Sequence, residues 1–422
     1  MRLLLKQVKI IHPQNPLLNH QTVNIVVENG IITYIGNEYT NYDVLFEEEN
    51  VHASPGWFDM RANFSDPGFE HKEDLKSGAE AAVAGGFTEV CVLPSTQPPA
   101  DSKDVIEYIL SKTRNSKIKI WPMAFASMNG KGNEMAELYD LHHAGAIAFT
   151  DAYQWISNSG LVVQILQYVQ MFNGLFISRP YDDALSNGGV MNESKTSVML
   201  GLKGIPKIAE EIAILRDIEI LKYTGGRIHF SLITTLGSVE IIRKAKMLGL
   251  NVTCDTAPHY LALDDRVLVN FDTNFKVNPP FREEKDILAL LEGLSDGTID
   301  CLVSDHHPHD EESKNIEFDL AEFGVSSIET AFAVSSYFTK DKITLDTLIE
   351  KWSIKPRNIL KLPVPKIEVG EVANLTLFDP LRTWIPVKEH TKSKSKNNPF
   401  WGKPLRGKVL GTIYNKHINL SI

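Results

Sequence analysis

Residues 304–314 concentrate the side chains that bind metals and transfer protons. The segment reads SDHHPHDEESK and follows an apolar run at residues 299–303 that is typical of a buried strand. Histidine and carboxylate side chains supply most of the protein ligands of divalent metals and many general acids and bases. The pattern therefore predicts an active-site segment at the end of a strand. The alternative is a polar loop whose side chains only form hydrogen bonds.

The composition excludes several classes of protein. The chain has 422 residues, of which 43% are hydrophobic and 23% are charged, as in ordinary globular proteins. Its net charge of -10 gives no electrostatic basis for binding nucleic acid or an anionic membrane. No apolar run is long enough to span a bilayer, and Lys6 and Lys9 interrupt the apolar N-terminus, which favours a first strand over a signal peptide. The three cysteines lie in apolar runs, as expected for reduced thiols in the cytoplasm.

The middle of the chain shows the pattern of a parallel barrel. From residue 54 to residue 360, apolar runs alternate with helical patterns, and there are about eight such runs, the number that a (β/α)8 barrel needs. We predict helices at 73–84, where Gly85 and Gly86 follow, and at 206–221. Several runs end at polar residues that a barrel would gather at one face. These strand-end residues are Arg61, Asn63, Ser95, Asp151, Arg179 and Asp305.

Both ends of the chain are β-rich. Apolar runs at 23–27 and 31–35 flank an Asn-Gly pair, which predicts a hairpin. Further short strands are expected after residue 361. The sequence thus predicts an α/β protein in which residues 1–53 and 361–422 form one small β-sandwich-like domain beside a TIM-like barrel at 54–360. The Lys/Ser-rich run at 392–398 is expected to be a solvated loop.

An ordered series of motifs spans nearly the whole chain. It comprises PGWFDM at 55–60, DPG at 66–68, AGGFT at 84–88, GGVMNE at 188–193, GIP at 204–206, KVNPPFR at 276–282, DHHPH at 305–309 and NPFWG at 398–402. With these motifs the chain resembles bacterial dihydroorotases of the amidohydrolase superfamily. The resemblance implies a barrel of the amidohydrolase type and the hydrolysis or closure of the cyclic amide of dihydroorotate in pyrimidine synthesis. It also implies zinc, which makes a bound water nucleophilic at neutral pH.

The resemblance implies ligand positions that this chain fills with other residues. The family has a His-x-His pair after the first strand, an Asp or a carboxylated Lys after the fourth, His after the fifth and sixth, and Asp after the eighth. The matching residues here are, in order, Arg61, Asn63, Asp151, Arg179, Leu232 and Asp305. No histidine ligand is kept, so we expect no metal cofactor, and the catalytic Asp305 would be vestigial.

The substrate-binding positions are partly replaced as well. Ser65 stands where the family has the arginine that binds the substrate carboxylate, and Ser95 replaces an asparagine. Asn278 and His309 are kept. His229 lies three positions from Leu232 and should face the other way along a strand. A new metal site from His306, His307, His309 and Asp310 is an alternative, but adjacent histidines diverge.

Three functions follow from this pattern. The first is an inactive dihydroorotase-like scaffold that forms a homodimer or a complex with aspartate transcarbamoylase. The second is an active cyclic-amide hydrolase with an altered, metal-independent site in which arginine polarises a carbonyl. The third is a small-molecule sensor. In each of them we expect Arg61 or Arg179 to bond to Asp151 or Asp305, because permanent positive charge could replace that of a metal.

Overall fold

The computed structural model describes residues 1–420. Its strands, numbered in chain order, are β1 (Arg2–Ile10), β2 (Thr22–Glu28), β3 (Ile31–Gly36), β4 (Val44–Phe46), β5 (His52–Pro55), β6 (Trp57–Ala62), β7 (Phe87–Val92), β8 (Lys119–Pro122), β9 (Phe176–Ser178), β10 (Met191–Asn192), β11 (Gly204–Ile205), β12 (Ile228–Phe230), β13 (Val252–Thr256), β14 (Cys301–Leu302), β15 (Asn374–Trp384), β16 (Leu405–Tyr414) and β17 (His417–Leu420).

Helices separate the strands of the central region. They are α1 (Leu75–Ala84), α2 (Lys103–Lys112), α3 (Leu138–Ala144), α4 (Ser159–Gln170), α5 (Asp183–Ser186), α6 (Lys195–Leu200), α7 (Ile208–Thr224), α8 (Leu236–Met247), α9 (Pro258–Ala262), α10 (Glu284–Asp296), α11 (Glu311–Lys314), α12 (Ala331–Thr339), α13 (Leu345–Ile349) and α14 (Lys355–Leu360). The predicted helix at 73–84 begins two residues later, because Asp74 caps it with its side chain.

The strands of the two chain ends form one sheet. Its order is β17-β16-β15-β5-β1-β2-β3, and β4 pairs with β1 at its side. Strand β5 joins the two halves, since it pairs with β1 on one side and β15 on the other. The predicted hairpin connects β2 and β3, and Asn29 and Gly30 both take the positive φ that a tight turn of this kind requires. The exact domain boundaries remain a prediction.

The middle of the chain forms parallel sheets that are linked in a ring. One sheet has the order β6-β7-β8 and the other β14-β13-β12-β9. Parallel bridges at Phe149 connect β9 with Ala124, just after β8, and a bridge from Ala62 to His306 joins the first and last strands. The predicted (β/α)8-type fold is confirmed by this arrangement and by the structural similarity reported below. Because the strands are parallel, their C-terminal ends lie at one face.

The Lys/Ser-rich run at 392–398 does not form the predicted solvated loop. Ser393, Ser395 and Asn397 are buried, and they bond to loops at the C-terminal face of the barrel. The alternation of Lys with Ser places the short polar side chains inward and most of the charges outward. No helix within residues 1–420 has both the length and the apolar character needed to cross a membrane.

Candidate active-site pocket

A cavity of about 400 Å³ opens at the C-terminal face of the barrel strands. Most of its lining residues follow the ends of strands or belong to the loops after them. They are Asn63, Ser65, Phe69, Lys72, Ser95, Tyr153, Gln154, Arg179, Tyr181, Asp183, Asn278, His307, His309, Glu322 and Phe323. The volume suits a small ligand. Two of the six positions at which the resemblance implies metal ligands, Asn63 and Arg179, line this cavity directly.

Arg61 and Asp305 form a buried ion pair beside the pocket. Arg61 Nε lies 3.0 Å from Asp305 Oδ1. The Arg61 side chain is buried, and its guanidinium also lies 5.4 Å from the centre of the Tyr153 ring. Burial opposes the positive charge, but the attraction of Asp305 outweighs it and raises the pKa of Arg61. The expected arginine–carboxylate contact is therefore present at the ends of β6 and β14.

Asp305 keeps the features of a carboxyl group in a protected site. Burial raises the pKa of Asp305, although Arg61 and Arg179 favour its ionised form. Its second oxygen lies 3.7 Å from Nε2 of His259. Burial lowers the pKa of His259 to about 3, so this imidazole is neutral at physiological pH. Asp305 does not line the cavity itself.

Asp151 is stabilised by neutral groups and not by arginine. Its Oδ1 accepts hydrogen bonds from the backbone N–H groups of Ala126 at 3.0 Å and Ser127 at 2.9 Å. The hydroxyl of Ser127 donates to the other oxygen. Burial raises the pKa of Asp151, and these hydrogen bonds counteract part of that effect. The expected contact with arginine is therefore made by Asp305 and not by Asp151.

Arg179 is buried without a carboxylate partner. Its Nη1 donates to the backbone oxygen of Tyr153 at 3.0 Å, and its guanidinium lies 4.9 Å from the centre of the Tyr181 ring. Within residues 1–420, no carboxylate oxygen lies close enough to form an ion pair with it. Burial and the nearby charge of Arg61 lower the pKa of Arg179.

The sixth-strand position is apolar, and a polar cluster lies next to it. Leu232 is buried and contributes only its backbone N–H, which donates to Asp255 Oδ1 at 2.7 Å. His229 Nε2 lies 2.8 Å from the other oxygen of Asp255. Leu232 has a φ of 62°, which interrupts the alternation of a strand at this point. His229 and the Leu232 backbone therefore both contact Asp255.

The four predicted substrate-binding residues all line the cavity. Asn278 presents a side-chain oxygen that has no hydrogen-bond partner. His309 is held by Phe323, whose backbone oxygen lies 2.9 Å from Nε2, and burial lowers its pKa to about 3. Ser65 and Ser95 are short side chains at this wall. The role of these four residues in ligand binding stays a prediction.

The neighbouring histidines diverge, as expected for adjacent residues. The ring of His306 points to Glu73, with Nε2 3.5 Å from a carboxylate oxygen. The ring of His307 stacks on Tyr153, with the ring centres 4.3 Å apart. These histidines do not form a metal-binding group with Asp310 among the described residues.

Several pocket residues were not identified from the sequence as binding residues, among them Lys72, Tyr153 and Tyr181. Both tyrosines lie two positions after a strand-end residue, Asp151 or Arg179. That spacing is the signal that could have identified them, because a residue just beyond a barrel strand lies near the pocket. Lys72 lies four residues after the DPG motif at 66–68, and no local pattern marks it as a pocket residue.

Comparison with known proteins identifies the family. The Dihydro-orotase-like family model matches residues 53–238, and the Amidohydrolase family model matches residues 184–415. A dihydroorotase of Carboxydothermus hydrogenoformans is 42% identical over 396 residues, which are 93% of this chain and 92% of that protein. A dihydroorotase of Syntrophus aciditrophicus is 38% identical over 423 residues, and the match covers 99% of both chains.

Solved structures share the fold at low sequence identity. L-Hydantoinase (dihydropyrimidinase) from Arthrobacter aurescens superimposes with a TM-score of 0.85 at 21% identity, over 99% of this chain and 95% of that one. D-Hydantoinase (dihydropyrimidinase) from a Thermus species gives a TM-score of 0.80 at 18% identity, over 99% and 94% of the two chains. The similarity covers the barrel and the sheet of chain-end strands together.

These matches correct the prediction that the chain has no metal cofactor. Members of this family use a metal such as zinc, and one buried group among residues 1–420 has suitable ligand types: His229, Asp255 and Cys301, whose ligand atoms lie within 4.8 Å of one another. Nitrogen, oxygen and sulfur donors fit zinc.

The prediction was wrong because it considered the ends of the strands and set His229 aside as facing away from them. There the guanidinium groups of Arg61 and Arg179 occupy positions where the resemblance implies histidine. None of His229, Asp255 and Cys301 lines the cavity, so a zinc ion held by the buried group would not contact a ligand in the pocket.

Sequence similarity over nearly the full length, two family models and the shared fold all agree. The chain therefore belongs to the dihydroorotase-like group of the amidohydrolase family.

Proposed function

We propose that this protein is a cyclic-amide hydrolase of the dihydroorotase type that acts in pyrimidine biosynthesis. The observation that supports this most strongly is the 42% identity to a protein named dihydroorotase over 93% of the chain. The pocket at the C-terminal face of the barrel agrees with it, since Asn278 and His309 line that pocket. The substrate class is a small ring that contains an amide and carries a carboxylate.

The residues of the pocket can be given roles in such a reaction. The guanidinium groups of Arg179, at the cavity wall, and Arg61, beside it, supply positive charge that can polarise the ring carbonyl or bind an anionic group of the substrate. Asp305, which lies beside the pocket in its ion pair with Arg61, accepts the proton of the attacking water, and its raised pKa makes it a stronger base than an ordinary aspartate. The free side-chain oxygen of Asn278 accepts a hydrogen bond from a ring N–H.

Turnover of dihydroorotate tests this proposal. The purified protein, as isolated and after incubation with zinc, is assayed in both directions, and Asp305→Asn is prepared in the same way as the control. We expect turnover in the wild type and a loss of at least about 100-fold in the variant, the usual contribution of a general base. Equal rates in the wild type and the variant would refute the proposal.

A second candidate is an inactive scaffold, which one observation favours. Asp305 is paired with Arg61 and does not line the cavity, so a substrate in the cavity does not contact it directly. In addition, helix α7 exposes Ile208, Ile212 and Leu215, whose spacing places them on one face. Such a face suits a homodimer or a complex with aspartate transcarbamoylase.

Size-exclusion chromatography with light scattering tests the scaffold. The wild type is run alone and after co-expression with aspartate transcarbamoylase, and Ile212→Lys is run in parallel. The scaffold predicts a dimer or a joint complex that the variant loses. Elution as a monomer in both cases at micromolar concentration would contradict it.

A further inference from the structure

Arg179 carries a buried charge that the protein itself does not neutralise. Its side chain is only 2% exposed, and one neutral backbone oxygen is its only hydrogen-bond partner within residues 1–420. Its Nε is buried and unpaired. Burying a guanidinium costs free energy unless a counter-charge is present, and here Arg61 adds repulsion. An anion bound from solution would remove this imbalance.

The residues that carry these unpaired groups line the same cavity. Tyr153 and Asn278 line it together with Arg179, and the hydroxyl of Tyr153 and Oδ1 of Asn278 are also buried without a partner. The Tyr181 ring, which packs against the guanidinium, restricts its orientation. The wall of this cavity of about 400 Å³ thus contains one cation, one hydroxyl and one amide oxygen that have no partner for a polar atom among the described residues.

The charges around the cavity favour a negatively charged ligand near Arg179. Two carboxylates, Asp183 and Glu322, also line it, but both residues are exposed to water. Asp183 interacts electrostatically with Arg179, but the two residues do not form an ion pair. Lys72 adds a second positive charge to the lining. The buried part of the cavity therefore has a net positive charge.

We propose that Arg179 binds the carboxylate of a small cyclic-amide ligand, and so determines which ligands this pocket accepts. The resemblance implies an arginine for this task at position 65, where the chain has a serine that is too short to reach a ligand in the same way. The Ser65 hydroxyl instead lies 3.5 Å from Asn63 Oδ1. The carboxylate-binding function has moved from the segment after β6 to the end of β9.

The ligand class rests on the proposed function, whereas the anion site rests on the geometry of Arg179 alone. Two probes distinguish the contribution of the ligand carboxylate to binding from that of the ring. Dihydroorotate and dihydrouracil share the cyclic amide, and only the first carries a carboxylate. Their dissociation constants for the wild-type protein are measured by isothermal titration calorimetry in a chloride buffer of fixed ionic strength.

We expect dihydroorotate to bind at least about tenfold more tightly than dihydrouracil, a ratio that corresponds to roughly 1.4 kcal/mol. In Arg179→Met the two probes should bind with about equal affinity. Arg179→Lys should keep part of the ratio, because lysine retains the charge but loses the planar, bidentate geometry. Arg266→Met is the matched control, since Arg266 is an exposed arginine outside the cavity, and it should leave the ratio unchanged.

Several results would overturn the proposal: equal affinities in the wild type, no binding of either probe, or a ratio that persists in Arg179→Met. Circular dichroism and melting temperatures establish whether each variant is folded. If Arg179→Met is not folded, the ratio of the two dissociation constants in the wild type and in Arg179→Lys decides. Turnover is measured on the same preparations. Binding without turnover refutes only the proposed reaction, and turnover without a carboxylate preference refutes only the anion site.

Discussion

Two strand ends of the barrel carry an arginine, and the two arginines have different surroundings. At the end of β6, Arg61 bonds to Asp305 with a distance of 3.0 Å. At the end of β9, Arg179 has no carboxylate within ion-pair distance among the described residues, and it faces the cavity. The same residue type therefore completes a buried ion pair at one place and leaves a charge for a ligand at the other.

The difference shows how this barrel stabilises buried carboxylates. Asp305 is neutralised by a cation, whereas Asp151 is satisfied by the hydroxyl and backbone N–H groups of residues 126 and 127. Arg179 forms an ion pair with neither of them. Its charge is therefore explained by binding and not by the stability of the fold.

The largest expected effect comes from removing the paired arginine. Arg61→Met leaves Asp305 as a buried carboxylate without a counter-charge, which should lower the free energy of unfolding by about 3 kcal/mol. Urea unfolding at pH 7 measures it. Arg61→Lys is the control and should recover part of the loss. A methionine variant as stable as the wild type would remove the distinction between the two arginines.

The second-largest expected effect is a pH dependence of the free energy of unfolding, and its source is Asp59, two residues before Arg61 on β6. Burial raises the pKa of Asp59, which accepts a hydrogen bond from the backbone of Arg61, to about 7. The folded state then holds a proton that the unfolded state has lost, so stability falls as pH rises from about 4 to 7. We expect Asp59→Asn to remove roughly 2 kcal/mol of the wild-type decrease between pH 5 and 7. If the free energy of unfolding fell by the same amount between pH 5 and 7 in the wild type and in Asp59→Asn, the prediction would be contradicted.

Removing a neutral donor from the other carboxylate should cost less. Ser127→Ala deletes the hydroxyl that donates to Asp151, and we expect a loss of about 1.5 kcal/mol, typical of a hydrogen bond to a charged group. Chemical unfolding of this variant beside Ser111→Ala, an exposed serine, gives the comparison. An effect as large as that of Arg61→Met would show that Asp151 and Asp305 are held in equivalent ways.

The smallest effect on stability should come from Arg179→Met. No carboxylate loses a partner, and a desolvated charge is replaced by an apolar side chain of similar length, so the free energy of unfolding should change by less than about 1 kcal/mol. The measurement is urea unfolding of the ligand-free protein. A loss close to that of Arg61→Met would mean that Arg179 is a structural residue.

The sequence was sufficient for the fold and for part of the pocket wall. The alternation of strand and helix patterns, the hairpin at Asn29 and Gly30, and the strand-end positions of Arg61 and Arg179 were all readable from local patterns. The pairing of Arg61 with Asp305 was expected, although 244 positions separate them, because parallel strands end at a common face.

The parts that could not be predicted depend on side-chain direction. The sequence does not show that Ser127, and not arginine, reaches Asp151. It also does not show that the backbone at Leu232 turns to a positive φ and brings its N–H to the same Asp255 that His229 contacts. The burial of Ser393 within a lysine-rich run was likewise decided by contacts with Glu73, which is distant in sequence.

A crystal structure of the protein with dihydroorotate tests the difference between the two arginines most directly. The expected result is a ligand carboxylate within hydrogen-bond distance of the Arg179 guanidinium, while Arg61 stays bonded to Asp305. A carboxylate bound by Arg61 or by Lys72, with Arg179 turned out of the cavity, would contradict it.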